Sequence, residues 1–241
     1  MLAFRVLAIA DLHRMKREGR KIVGVVAWDY QIAQIADRAG VDIVSVGDSV
    51  GVNLWGQRDP DEITLAELMV VFKAVRRGIR RALLSCDLPA REQTLDAALR
   101  LKEAGAEMLK LSDETAIKAL VRAGIPVFAE FHGGEIPVEK LVNQAKRLED
   151  AGAALLDFRH SGPVAGEAVA RAVKIPVIGG LGGGPWLDGR MRMVNAAIGY
   201  AASSLESNAE NYANVARTAL DALSAYAEDV RAARQIKGQR A

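Results

Sequence analysis

One cysteine, three histidines and few aromatic residues (5% of 241) set the first limits on this chain. The lone Cys86 cannot close an internal disulfide, which agrees with a reducing compartment and predicts packing rather than chemistry for its thiol. His13, His132 and His160 show no paired ligand spacing, so zinc chemistry is not expected. His13 is expected on the surface of an N-terminal helix. Neither sign of charge dominates: 32 Lys and Arg against 30 Asp and Glu leave a formal charge of +2, which advertises no polyanion partner. The basic tail Arg231, Arg234, Lys237 and Arg240 reads as a solvated helix end, so no nucleic-acid partner is expected. Half the residues are hydrophobic and 26% are charged, a balance that argues against both disorder and membrane insertion. The segment Met1 to Gly19 carries Asp11, Arg14 and Lys16 through its middle and so lacks the apolar core of a signal peptide. A cytoplasmic protein is the expectation.

What the chain does have is a repeat of short β-branched runs, each followed by a turn and a stretch of helical periodicity. The runs are Ile22 to Ala27, Asp42 to Val46, Ala82 to Ser85, Glu107 to Leu111, Val127 to Phe131, Ala153 to Leu156 and Pro176 to Gly179, with an eighth expected after Asp188. Four helix-to-strand joints carry the same punctuation, at Ala39-Gly40, Ala104-Gly105, Ala123-Gly124 and Ala151-Gly152. A glycine there can take the left-handed conformation that turns the chain into the next strand. Equivalent units without a linker predict one α/β domain over residues 1–241, a (β/α)8 TIM barrel, which about 250 residues accommodate. The tail differs: Tyr212, Val215, Ala216, Ala219, Leu220, Leu223, Tyr226 and Val230 form one apolar stripe in a helix expected over 206–236. That extra helix must pack on its own barrel or on a neighbouring subunit, and a homo-oligomer is predicted.

Barrels of this kind do their chemistry at the carboxyl ends of the strands, so polar residues there are read first. Strand two runs into Asp48 and Ser49, strand three into Cys86 and Asp87, strand four into Lys110 and strand six into Asp157. Side-chain alternation puts Asp87 and Cys86 on opposite faces. Two carboxylates on neighbouring strand ends repel each other unless a cation lies between them, and hard oxygen ligands select Mg²⁺ or a similar ion. A 2-oxo acid can chelate such a metal, which stabilises the enolate formed when a C3 proton leaves. Lys110 would add positive charge to the same oxygens. The run Gly179 to Pro185 would offer backbone amides to an anionic group, or form a tight turn. His160, just beyond Asp157, lies within reach of substrate.

Lys16 to Ile22, Ala27-Trp28-Asp29-Tyr30, Val46-Gly47-Asp48-Ser49-Val50-Gly51, Ala74 to Gly78 and Asp87-Leu88-Pro89 resemble, in order and spacing, the ketopantoate hydroxymethyltransferase family. That family lies in the phosphoenolpyruvate mutase and isocitrate lyase superfamily and serves pantothenate biosynthesis. The resemblance implies that Asp48 and Asp87 bind Mg²⁺, that Ser49 and Lys110 hold the 2-oxo acid, and that methylenetetrahydrofolate supplies a one-carbon unit. It also aligns the family's catalytic glutamate with Asp157, a base one methylene shorter. Three departures fall on chemistry. Lys110-Leu111-Ser112-Asp113-Glu114 replaces Lys-Leu-Glu-Gly-Gly. Ala129-Glu130-Phe131-His132-Gly133 replaces Gly-His-Leu-Gly-Leu, moving the histidine two positions toward the mouth on the same strand face. The long loop that follows in the family is largely missing, while an Asp-Gly pair further on is matched by Asp188-Gly189.

The expected function is a metal-dependent hydroxymethyltransferase or aldolase acting through a metal-stabilised enolate of a 3-methyl-2-oxobutanoate-like 2-oxo acid. Asp157 is the expected general base, with Glu130 and His132 as rivals. The alternatives are a C–C or P–C bond lyase or mutase of the same superfamily, and a barrel without catalysis.

Overall fold

The computed structural model describes residues 6–180 and 183–238. Its strands are β1 (Ile22–Val26), β2 (Ile43–Val46), β3 (Leu83–Asp87), β4 (Met108–Leu111), β5 (Val127–His132), β6 (Leu155–Arg159), β7 (Val177–Gly179) and β8 (Gly189–Met193). They close into a barrel in sequence order, consecutive strands pairing in parallel. The helices are α1 (Ile9–Arg17), α2 (Tyr30–Ala39), α3 (Ser49–Trp55), α4 (Leu65–Gly78), α5 (Leu95–Glu103), α6 (Glu114–Arg122), α7 (Val138–Asp150), α8 (Pro163–Ala172), α9 (Val194–Ile198) and α10 (Val215–Arg231). This is the (β/α)8 barrel that the repeat predicts. The connection from β7 to β8 carries no helix among its described residues, which is why the eighth strand is the least marked in sequence.

All four glycine joints adopt positive φ, between 67° and 104°, as their spacing requires. Helix starts are fixed by side chains: Asp29 accepts from the Ile32 amide at 2.8 Å, and Thr64 with Glu67 forms a reciprocal cap on α4. The faces so aimed are apolar, and Leu65, Leu68, Val71, Phe72 and Val75 of α4 are buried.

Three strands run further than their apolar runs predict. β3 extends through Asp87, β5 through His132, and β6 covers Leu155–Arg159 rather than Ala153 to Leu156. The ladder continues through Glu130↔Asp157, Phe131↔Phe158 and His132↔Arg159. A charged residue ordinarily ends an apolar strand. Here charges of opposite sign meet inside the barrel, so the backbone keeps its pairing past them.

At the opposite end of the barrel, Asp188 joins three elements. Its Oδ2 accepts from Lys16 Nζ on α1 and from the Val177 amide, both at 2.8 Å, and its carbonyl accepts from the Ile22 amide at 2.9 Å. The Asp188-Gly189 pair is therefore structural and far from the strand ends that carry chemistry. His13 is not the surface residue expected; it is half-buried, with Nε2 at 2.8 Å from the Ala154 carbonyl.

The chain divides into two compact units, residues 1–192 and 193–241. Within the second, the helix expected over 206–236 starts only at Val215, where the Asn214 side chain accepts from the Arg217 amide at 2.9 Å. Ser207, Asn208, Asn211 and Asn214 precede it, residue types whose side chains compete for backbone groups and favour turns and caps over helix interiors. Tyr212 thus falls outside the helical stripe. Leu220, Leu223, Tyr226 and Val230 are exposed. No helix among the described residues is long and apolar enough to cross a membrane.

Asp188→Ala strips Lys16 Nζ and the Val177 amide of a shared acceptor, so it should cost about 1–3 kcal/mol. Urea unfolding of the variant beside wild type measures this; an unchanged midpoint would show that the pin contributes nothing.

Candidate active site at the barrel mouth

Strand register explains why four ionisable side chains meet. Asp87 is the ladder partner of Lys110, and Glu130 that of Asp157, so their side chains share the inward face at the carboxyl ends of β3 to β6. Lys110 Nζ lies 3.3 Å from Asp87 Oδ2, 3.1 Å from Glu130 Oε2 and 3.5 Å from Asp157 Oδ2. Arg159, two residues beyond Asp157 on the same face, brings its guanidinium to 2.7 Å from Glu130 Oε2 and 3.5 Å from Asp157 Oδ2. Two cations and two carboxylates thus alternate in a closed ring of Lys110, Glu130, Arg159 and Asp157. Burial works against the Lys110 charge, but Asp87, Asp157 and Glu130 outweigh it and hold the ammonium well above its usual range. Asp157 is completely enclosed, its other oxygen accepting from the Gly180 amide at 3.0 Å.

Asp87 is less well satisfied. Its Oδ2 accepts weakly from the Asp48 amide at 3.4 Å and faces Lys110, while Oδ1 is buried with no hydrogen-bond partner. Burial is the largest cause that pushes its carboxyl up to about 7, with Lys110 opposing and the nearby charges of Asp48 and Glu130 adding to the rise. Gly47 leaves room beside it: a Cβ there would sit 3.1 Å from Asp87 Oδ2 and 3.4 Å from Ser49 Oγ. Ser49 and Asp87 therefore line one small space, with Asp48 adjacent through its backbone amide. The two carboxylates, one with an unpartnered buried oxygen, fit a hard divalent cation of the Mg²⁺ kind. Among the described residues no group of three or more His, Cys, Asp or Glu forms a fuller cage. Such an open donor set suits an ion that keeps places for water or substrate.

The remaining sequence candidates sort by face. Cys86 points away from the mouth as alternation predicts, and burial drives its thiol well above the ordinary range. Phe131 and Phe158 take the same outer face and stack at 4.4 Å. His132 is exposed at the rim, its Nε2 at 3.2 Å from Glu130 Oε1, and its ring lies 6.1 Å from that of His160. Asp113, in the stretch where the sequence departs from the resemblance, caps α6 through the Ala116 amide at 2.7 Å, and Glu114 pairs with Lys118. Both are occupied by the helix rather than the site. In the glycine run, Leu181 and Gly182 lie outside the described residues; Gly180 serves Asp157. Arg159 is the residue the sequence reading missed. Its signal was the alternation in Leu155-Leu156-Asp157-Phe158-Arg159, which puts two charges on one face of an apolar strand.

A closed parallel barrel with carboxylates and a lysine converging at its carboxyl end defines the class: an α/β barrel with a charged site at its strand ends. A solved 2,3-dimethylmalate lyase, a member of the phosphoenolpyruvate mutase/isocitrate lyase superfamily, superposes with a TM-score of 0.62 at 17% identity, over 98% of this chain and 91% of that one. A phosphonopyruvate hydrolase in complex with oxalate and Mg²⁺ does so with a TM-score of 0.62 at 14% identity, over 95% and 89%. The profile of ketopantoate hydroxymethyltransferases matches residues 6–137 and 132–235. The 3-methyl-2-oxobutanoate hydroxymethyltransferase of Geobacillus kaustophilus is 33% identical over 253 positions, covering 93% of this chain and 90% of that protein. The chain belongs to the ketopantoate hydroxymethyltransferase family. The two profile stretches overlap at residues 132–137, at the end of β5 and the connection that follows it.

The raised Asp87 carboxyl has a consequence for stability. A group that holds its proton more tightly folded than unfolded stabilises the fold while protonated, so rising pH removes that contribution between the unfolded value of 3.8 and the folded value of about 7. With a chelator present, wild type should lose stability as pH climbs from about 4 to about 7, and Asp87→Asn should flatten that slope. Urea midpoints across this range test it; equal slopes would assign the dependence to another group.

Proposed function

We propose that this protein is a hydroxymethyltransferase that removes the C3 proton of a small 2-oxo acid and joins the resulting enolate carbon to a one-carbon unit. The substrate is of the 3-methyl-2-oxobutanoate kind, after the relatives' activity, and methylenetetrahydrofolate is the donor. The observation that carries the reading is the buried, unpartnered oxygen of Asp87 beside Asp48, with Lys110 and Asp157 converging on the same interior. Asp48 and Asp87 would hold a divalent cation, which when bound supplies positive charge to the carboxylate and ketone oxygens of the substrate. The solved relative of the fold that carries oxalate and Mg²⁺ supports this pairing of ion and two-oxygen ligand.

The chain's own residues do the rest. The Ser49 hydroxyl donates to the substrate carboxylate, and Lys110 gives its charge to the ketone oxygen. Asp157 takes the C3 proton as the C–H electron pair moves into the C2–C3 bond and negative charge gathers on that oxygen. Water adds to the methylene carbon of methylenetetrahydrofolate and its two C–N bonds break, so tetrahydrofolate leaves and the one-carbon unit becomes formaldehyde. The enolate carbon then bonds to the formaldehyde carbon as the C=O pair moves onto oxygen, and that oxygen takes back the proton held by Asp157 to become the new hydroxyl. Asp157 is oriented for this task by the Gly180 amide at 3.0 Å and by Lys110 and Arg159, each at 3.5 Å. The short connection after β5, residues 133–137, favours a second reading in which the same platform cleaves a C–C bond and needs no folate. The apolar stripe of α10 is assigned to homo-oligomer formation.

NMR of C3 deuterium exchange into 2-oxo acids, with Mg²⁺ present, tests the enolising step. Wild type should exchange, and Asp157→Asn should slow exchange by about 10² while keeping 2-oxo acid binding. If Asp157→Asn exchanges normally while His132→Ala or Glu130→Gln abolishes exchange, the base lies on β5. No exchange in wild type would leave a non-catalytic barrel, and exchange without folate-dependent product would favour the lyase. Asp87→Asn should lose most Mg²⁺ or Mn²⁺ affinity while staying folded; an unchanged metal titration would remove Asp87 from the site. Sedimentation of a variant ending before Glu206 should show a smaller assembly than the full chain, and identical sedimentation would place the stripe within its own subunit.

A further inference from the structure

We propose that Arg159 is a positioning residue that holds the general base Asp157 in its proton-accepting geometry. The inference rests on the reading of Asp157 as base. Aspartate is a short side chain and Asp157 is enclosed on its strand, so its orientation matters more than that of a freely reaching side chain. Both oxygens of Asp157 are fixed from outside: Oδ1 by the Gly180 amide at 3.0 Å, Oδ2 by Lys110 Nζ and Arg159 Nε, each at 3.5 Å. Lys110 cannot do this alone. It also faces Asp87 and Glu130, and in the proposed reaction it turns toward the ketone oxygen of the substrate.

Arg159 makes that turn affordable. Its planar fork contacts Glu130 at 2.7 Å and Asp157 at 3.5 Å, so both carboxylates keep a cation when Lys110 engages substrate. The guanidinium is itself well anchored. Its side chain is 22% exposed, and although burial opposes its charge, Glu130 and Asp157 hold it up. The backbone beneath it is clamped to the β5 turn, where the Gly133 amide donates to the Arg159 carbonyl at 2.8 Å and the Gly134 amide to the His160 carbonyl at 3.1 Å. A Cβ at Gly133 would meet the His160 carbonyl oxygen at 2.5 Å, so this approach requires glycine. His160, at φ 50°, takes the left-handed turn that follows. The short β5 connection and the end of β6 thus form one rigid mount for the Arg159 side chain.

The test separates proton transfer from binding. Oxalate offers the same pair of oxygens as a 2-oxo acid enolate but has no C3 proton to lose, so its affinity reads the binding half of the site only. With Mg²⁺ present, Arg159→Met should slow C3 deuterium exchange by about tenfold or more, within the range set by the base itself. Its oxalate affinity by calorimetry should stay within about twofold of wild type. Arg159→Lys, which keeps a cation, should recover much of the exchange rate. Arg159→Met/Glu130→Gln, which removes the carboxylate left without its counter-ion, should exchange faster than Arg159→Met alone. Exchange at the wild-type rate in Arg159→Met, with Asp157→Asn slow, overturns the role of Arg159 and leaves the base in place. Parallel loss of exchange and oxalate affinity in both Arg159 variants, with matching loss of thermal stability, makes it a structural residue and overturns the proposal. Normal exchange in Asp157→Asn overturns the base and Arg159's role together.

Discussion

The ammonium of Lys110 sits inside the barrel within 3.5 Å of three carboxylates that arrive on three different strands, Asp87 on β3, Glu130 on β5 and Asp157 on β6. A lysine this deeply buried is tolerated only when its partners repay desolvation, and three acids in one low-dielectric space are tolerated only with a cation among them. Each side therefore requires the other. The requirement reaches the backbone, because β3 and β6 continue their ladders past the point where an apolar strand would stop in order to bring the acids to the lysine. Removing either partner of such a cluster leaves a buried charge uncompensated, so this part of the chain is fixed by electrostatics as firmly as the helix faces are by apolar packing.

Even so, the charges at the mouth do not close. Among the described residues Asp87, Glu130 and Asp157 share the cations Lys110 and Arg159, and the imbalance falls on Asp87, the acid with a buried oxygen and no hydrogen-bond donor to satisfy it. Protonation relieves the strain at low pH. At higher pH a divalent cation would relieve it more completely, because it brings two charges to the side where Asp48 and Asp87 meet. The same excess that destabilises the bare fold is thus what would give the site its affinity for a metal and, through it, for an anionic substrate.

The barrel was legible because its evidence is repetitive: four identical joints each announce the same left-handed glycine, and a parallel sheet buried on both faces writes its strands as apolar runs. The carboxylates Asp48, Asp87 and Asp157 were legible as charges at the ends of such runs. Arg159 was not, because it follows Asp157 at a distance of two and a strand judged to end at the first charge has no face left on which to place the second. The helix start at Val215 was missed for a related reason: apolar spacing carried the stripe back to Tyr212, while the competition of asparagine side chains for backbone groups decided where the helix could begin. Polar groups that satisfy one another, whether in a buried ring or in a turn, leave no periodic trace.

The site divides between two sides of the barrel. The β2 and β3 ends bring Ser49 and Asp87 to one small space with Asp48 adjacent, whereas β5 and β6 carry Glu130, His132 at the rim, Asp157 and Arg159 beside it. In the proposed reaction oxygen chelation would depend on the first group and proton movement on the second, so the two tasks could change separately. Glu130 places a negative charge beside Lys110, and Arg159 offsets that charge at 2.7 Å while reaching Asp157 at 3.5 Å. The short turn at Gly133 then docks β5 onto β6 through backbone hydrogen bonds. These features are mutually dependent: the acid needs the arginine, the arginine needs a fixed strand end, and the fixed end needs a glycine close against the His160 carbonyl.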